Sequence, residues 1–169
     1  MRFPFILQSA ANDCGLTCLK MIAAYYKPHY TGDFSKQQRR LTKKGISMLG
    51  IFNAAKKIGF NCQGVKMGIE ELKDKVQRGP AILHCAENHF VVVYKAPIPQ
   101  RNGMFYVADP ARGLKKFKEK EFKAFWIGNN LKRESSEWKK TSSVGYALLL
   151  KPLPEFYEMA GKEVLSAGE

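Results

Sequence analysis

Near residue 60 the hydrophobic pattern of the chain changes its period, and this switch narrows the fold more than any other feature. Upstream, apolar residues recur at helical spacing. Leu16, Leu19, Ile22, Ala23 and Tyr26 follow Asn12-Asp13, a pair of good N-cap residues. They predict a buried helix from about Cys14 to Tyr26, stopped by Pro28. A short basic helix is expected over Phe34 to Leu41, capped by Asp33 or Ser35. Ser47 opens a third, with Leu49, Phe52, Ala55 and Ile58 on one face and Gly59 as its stop. Downstream, Asn61 to Met67 reads as a strand and Ile69 to Gln77 as a small amphipathic helix ending at Gly79-Pro80. Apolar or alternating runs then follow at Ala81 to Cys85, Phe90 to Lys95, Met104 to Ala108, Leu114 to Lys118 and Tyr146 to Leu150. Turn residues such as Pro97, Pro99, Asn102-Gly103 and Gly113 separate them. Glu119 to Trp126 reads as one more short helix. Helices first and strands second imply an α+β domain, an N-terminal helical part packed on an antiparallel β-sheet.

A chain of 169 residues can bury one real core. From Pro152 the strand pattern is lost, so 1–151 is read as the domain and 152–169 as a linker or appended tail. The 28 Lys+Arg against 15 Asp+Glu give a net charge of +13, which suits nucleic acid, an anionic membrane face or an acidic peptide. The cations are spread over Lys36 to Lys44, Lys56-Lys57, Lys115 to Lys120 and Lys132 to Lys140, so a solvated surface accounts for them more simply than a nucleic-acid groove. Four cysteines in a chain of this length do not make a secreted disulfide scaffold, and a reducing, cytosolic setting fits better. Phe3 to Leu7, interrupted by Pro4, is too short for a signal-peptide core, and no run approaches the ~20 apolar residues of a membrane span. The chain is expected to be soluble, though it could be a piece of something that is not.

Cys14 falls at the first turn of its helix, where unpaired backbone N–H groups and the helix dipole favour a thiolate. It can also be a small buried cysteine, the commoner fate, and Cys18 one turn later reads as core. A thiolate nucleophile needs an imidazole and a group to orient it. His29 follows Pro28 in a loop, whereas His84 and His89 flank the turn at 85–88, and periodicity alone does not choose between those two. Asp109 ends the run Met104 to Ala108 and precedes Pro110, as an orienting carboxylate or as a plain turn residue. Zinc is disfavoured, because Cys14, Cys18, His84 and Cys85 match no finger or ribbon spacing and no CxxC exists. Neither GxxxxGK[ST] nor GxGxxG occurs, so ATP chemistry is not expected in this chain.

The string Gln8-Ser9-Ala10-Ala11-Asn12-Asp13-Cys14-Gly15-Leu16-Thr17-Cys18-Leu19-Lys20-Met21-Ile22, with Asn88-His89-Phe90-Val91-Val92 and Asp109-Pro110 downstream, resembles the double-glycine leader peptidases. These are the papain-like N-terminal domains of bacterial peptidase-containing ABC transporters that process and export bacteriocins and related peptides. The likeness spans roughly residues 1–155, with three separated motifs in order. It implies Cys14 as nucleophile, His89 as general base and acid, Asp109 as orienting carboxylate and Gln8 as oxyanion-hole glutamine, and so prefers His89 over His84. It implies cleavage after a Gly-Gly pair in a precursor, and a leader peptide and the transporter's transmembrane and nucleotide-binding domains as partners. Nucleic acid is not implied. No cofactor is expected here, ATP and Mg belonging to the nucleotide-binding domain, and the location implied is the cytoplasmic face of the bacterial membrane. Pro154-Glu155-Phe156-Tyr157 resembles the segment before the first membrane helix of such transporters. Two departures, Thr17 where the family often has a smaller residue and the basic stretch Lys36 to Lys44, bear on leader docking more than on the triad.

Two other classes are compatible with the same residues. A transglutaminase-like acyltransferase would keep Cys, His and Asp and use an amine acceptor instead of water. A non-catalytic basic module, tethering a peptide or binding nucleic acid, would leave Cys14 merely buried and bind nucleic acid with steep salt dependence.

Overall fold

The computed structural model describes residues 2–128 and 144–158. In chain order they form α1 (Cys14–Tyr26), α2 (Ser35–Arg39), α3 (Met48–Lys57), β1 (Phe60–Met67), α4 (Ile69–Val76) and β2 (Ala81–Cys85). A 3-10 turn (Ala86–Asn88) leads into β3 (His89–Lys95), then β4 (Met104–Asp109) and β5 (Gly113–Lys118). α5 (Glu119–Lys123) runs on into a π-helical turn (Ala124–Gly128), and β6 is Gly145–Pro152. The strands make one six-stranded sheet in the order β1-β6-β2-β3-β4-β5, every neighbouring pair antiparallel.

Both faces of this sheet are covered. Phe60, Cys62, Ile82, Phe90, Val92, Ala108, Leu148 and Leu150 pack against Leu16, Leu19 and Ile22 of α1 and Ile51, Ala54 and Ala55 of α3. Met67, Leu83, Val91, Val93, Phe105, Val107 and Ala147 turn the other way, toward Leu72 and Val76 of α4, Phe122 of α5 and Trp126. Double coverage explains why Phe90 to Val93 reads as a continuous apolar run: an antiparallel strand alternates only when one side is wet. Phe105 and Phe122 stack in parallel with ring centres 4.1 Å apart. Lys73 is buried on this side, its ammonium held by Glu70 (2.8 Å), Glu119 (3.1 Å) and the Arg101 carbonyl (3.0 Å).

Element boundaries match the sequence reading to within one or two residues, the usual play of helix and strand ends. Four details differ. Phe34 takes the N-cap position of α2, while Asp33 accepts from the Ser35 N–H at 2.8 Å just outside it. On α3, Ser47 caps through Gly50 N as expected, but the buried face is Ile51, Ala54 and Ala55, and Leu49 is 66% exposed. The expected helix from Glu119 to Trp126 widens into the π turn at Ala124, which seats Trp126 with its Nε1 donating to the Tyr146 carbonyl.

The fourth lies at the expected boundary after 151. β6 pairs with β1 through Pro152, Leu153 N donates to Gly59 O, and Phe156 is fully buried against Phe60 and Tyr30. The packed domain therefore continues past the prolines that suggested a linker. Gly59 makes this possible: its φ is +99°, and a Cβ there would collide with the Phe156 backbone. The basic run from Lys132 to Lys140 and the tail from Ala160 to Glu169 lie outside the described residues. Among the described residues no helix is long and apolar enough to cross a membrane.

Candidate active site

Cys14 is the first residue of α1 and only 8% exposed. Asn12 and Asp13 were expected to cap that helix with their side chains, and neither does. Asp13 holds the N-cap position at φ −109°, ψ 17°, outside the extended region from which a cap side chain reaches forward. Its buried carboxylate instead turns back, accepting from Ser9 N (3.2 Å), Ser9 Oγ (2.7 Å) and Ala10 N (3.3 Å). Asn12 donates to the Thr42 carbonyl at 2.9 Å. The first-turn N–H groups around Cys14 thus carry no side-chain cap and stay available to an anion. Gly15 lets the 42–47 loop close on the helix start, since a side chain there would collide with Ile46 and Ile51.

The sheet supplies the other groups. β3 and β4 are antiparallel neighbours, so the first residue of one, His89, lies beside the last residue of the other, Asp109. His89 Nε2 and Asp109 Oδ1 are 2.9 Å apart, and the same Oδ1 accepts from Ala111 N at 2.9 Å. Cys14 lies close enough to the same imidazole to act on its titration. With Nε2 committed to Asp109, Nδ1 is the nitrogen left for the thiol. The bond to Asp109 first, and then the proximity of Cys14, push the His89 pKa up to about 9 against the opposing effect of burial. Burial works against ionisation of Asp109, but the hydrogen bonds from His89 and Ala111, with the nearby charges of His89 and Arg112, hold its carboxyl below the usual range.

The other candidates fall apart from this group. His84 bonds Asn88 and stacks on Phe90, and burial lowers its pKa. His29, at φ 62° after α1, lines a cleft with Phe3, Tyr25 and Tyr94. Cys18 and Cys85 are buried close enough to Cys14 and Asp109 to feel their charge, and burial pushes their thiols up, Cys85 to about 12. Gln8 is tied to the turn after Asp109, its N–H donating to the Pro110 carbonyl at 2.8 Å. Its Nε2 donates to Ala10 O at 2.9 Å, and its Oε1 is buried without a partner. Two organising residues stood in the sequence as cap or turn residues and as members of the quoted motifs, with no role of their own. Asp13 gathers the 9–13 loop, and Asn88 spans His84 and Lys44. An Asn closing a three-residue hairpin loop just before a histidine is the signal that could have drawn notice to the second. Among the described residues no group of His, Cys, Asp and Glu is arranged to hold a metal ion.

The chain is similar over part of its length to much longer proteins. The colicin V secretion/processing ATP-binding protein CvaB of Escherichia coli is 28% identical over 127 residues, 75% of this chain and 17% of that protein. The lactococcin-G-processing and transport ATP-binding protein LagD of Lactococcus lactis subsp. lactis is 31% identical over 127 residues, 73% of this chain and 18% of that protein. The chain thus spans less than a fifth of the length of these relatives. Among solved structures, the double glycine motif protease from an AMS/PCAT transporter, in complex with the leader peptide, covers 90% of this chain and 93% of its own at 28% identity, with a TM-score of 0.64. The peptidase domain of Streptococcus ComA, at 22% identity, covers 90% of this chain and 100% of its own with a TM-score of 0.68, a likeness of fold. The helix-on-sheet arrangement is the papain-like fold of those domains. The peptidase C39 family model matches residues 2–137, and by that match the chain belongs to the peptidase C39 family of cysteine peptidases.

Proposed function

We propose that the protein is a cysteine endopeptidase that removes the leader peptide of a bacteriocin-like or other exported precursor by cutting after a Gly-Gly pair. The observation that carries this reading is Cys14 at an uncapped helix start, near the His89 imidazole that Asp109 holds through Nε2 at 2.9 Å. His89 Nδ1 takes the Cys14 thiol proton, the thiolate attacks the carbonyl carbon of the second glycine, and the electron pair of the C=O bond moves onto oxygen. Collapse of that oxyanion breaks the C–N bond as the His89 imidazolium protonates the leaving amine. A thioester remains. His89 then takes a proton from water, hydroxide adds to the thioester carbonyl, and the Cys14 thiolate leaves.

The oxyanion receives the Cys14 backbone N–H and, in this reading, the Gln8 amide. Gln8 must then exchange the Ala10 carbonyl for the oxyanion, and its unpartnered Oε1 leaves that amide weakly held. Such a donor is worth roughly 10²–10³ in rate. Glycines at the cut suit a narrow approach that admits residues without side chains. Exposed Lys36, Arg39 and Arg40 of α2 and its C-cap, beside a cleft also lined by Lys44 and Lys57, suit an acidic leader. Hydrolysis by this route needs no cofactor from the chain. We place ATP and Mg in a nucleotide-binding domain elsewhere in a transporter, and the peptidase at the cytoplasmic membrane face beside its transmembrane domain.

Incubation of wild type and Cys14→Ala with a peptide bearing a helical leader ending in Gly-Gly, followed by mass spectrometry, tests this. A single cut after the second glycine, absent in the variant, is expected. A product joined to added amine would assign the chain to acyl transfer, and no cut with tight, salt-insensitive binding would make it a tether.

A further inference from the structure

The geometry points to Asn88 as a positioning residue for His89, joining it through one side chain to the second histidine, His84, and to the cleft wall at Lys44. The inference rests on His89 acting as the base proposed above. Asn88 closes the three-residue loop between β2 and β3, whose last paired residues are Cys85 and His89. Its φ is 58°, the left-handed conformation such a loop takes at its last residue and which Asn tolerates. That much would make it a turn residue and nothing more.

Its side chain is committed on both sides. Nδ2 donates to the Lys44 carbonyl at 3.0 Å, across 44 residues of sequence. Only the amide nitrogen can donate to a carbonyl, so the orientation of the amide is fixed and Oδ1 faces His84 Nε2 at 3.1 Å. Because Oδ1 only accepts, His84 carries its proton on Nε2. The His84 ring is stacked on Phe90, ring centres 4.8 Å apart, and Phe90 is 1% exposed. Both chain neighbours of His89 are therefore immobilised, Phe90 by the core and Asn88 by this bridge, while His89 N donates to Ala86 O. Asp109 fixes the far side of the imidazole, and the bridge fixes the backbone that carries it. Displacement of the 42–46 loop, which also holds Asn12 beside Cys14, passes to His89 through the same bond.

Asn88→Gly separates the two roles, since glycine keeps the left-handed turn and deletes both side-chain bonds. The readouts are kcat and KM on a Gly-Gly peptide, and the pH profile of Cys14 alkylation by iodoacetamide localised by mass spectrometry. In Asn88→Gly we expect kcat to fall about tenfold with KM within about twofold, as for a displaced catalytic group. The upper inflection of the alkylation profile should move from about 9 toward 6.5 as the Asp109 bond loosens. His84→Leu should shift that inflection in the same sense, and His84→Gln, which retains an N–H donor, should restore it. This pair carries the test should Asn88→Gly not fold. Wild-type kcat and profile in Asn88→Gly would overturn the proposal, as would an unshifted profile accompanied by a lowered unfolding midpoint. Alkylation needs no peptide, so failure of Gly-Gly cleavage leaves the test standing and counts only against the substrate assigned above.

Discussion

On one face of the sheet, α1 and α3 pack over Phe90, Val92 and Ala108; on the other, α4, α5 and Trp126 pack over Val91, Val93 and Val107. The two layers are equally dry. Yet the first includes Cys14 and the residues next to His89 and Asp109, while the second holds the Phe105–Phe122 stack and the buried Lys73 and comes to the site at Cys85, the strand partner of His89. One layer shapes the chemistry and the other holds the sheet on which two of the three groups stand. Activity and stability are therefore expected to respond separately.

The sharpest break of that division is at Asp109. Asp109→Asn keeps the shape but removes the charge facing His89, and kcat on a Gly-Gly peptide should fall by roughly 10²–10⁴. The alkaline limb of its pH–rate profile should also move down from about 9 toward 6.5, as steady-state kinetics across pH would show. On the opposite face, Phe122→Ala should cost about 3–5 kcal/mol in chemical denaturation while the folded fraction keeps its kcat. Loss of kcat in step with loss of stability would mean the far layer also shapes the site.

A smaller effect joins stability to the site itself. The His89 pKa is raised, so its contribution is complete below about 6.5 and lost as the pH rises through about 9; Asp109 is lowered, so its contribution is lost as the pH falls through the carboxylate range. Wild type should therefore lose more denaturation free energy between pH 6 and pH 10 than His89→Gln does. The smallest effect is expected farthest from the chemistry. Neutralising Lys36, Arg39 and Arg40 together should raise KM for an acidic leader a few-fold at low salt and leave kcat alone, a difference that should shrink as salt is added.

What the sequence made readable was local. Asn12-Asp13 and Pro28 bracket α1, and Gly59, Gly113 and Asn102-Gly103 mark stops that the structure keeps. The order of the strands was not readable, because β6 inserts between β1 and β2 through long-range pairings, from His84 with Tyr146 to Phe60 with Pro152, that no local signal carries. Leu49 and Phe156 were misplaced for the same reason. A helix surface and a proline-flanked segment become exposed or buried according to what arrives from elsewhere in the chain. At the site, periodicity left His84 and His89 level. Their difference lies in which one Asp109 reaches, a tertiary fact, and motif resemblance stood in for it in the sequence. The hydrogen bonds of Asp13 and Asn88 were invisible because both residues have a common local use that already explains their presence.

The seat of Phe156 has a mechanical consequence. Tension on the chain beyond residue 158 would first load an aromatic plug wedged between Phe60 and Tyr30, backed by the Leu153 to Gly59 hydrogen bond. β6, in the interior of the sheet, is shielded from being peeled off from its end.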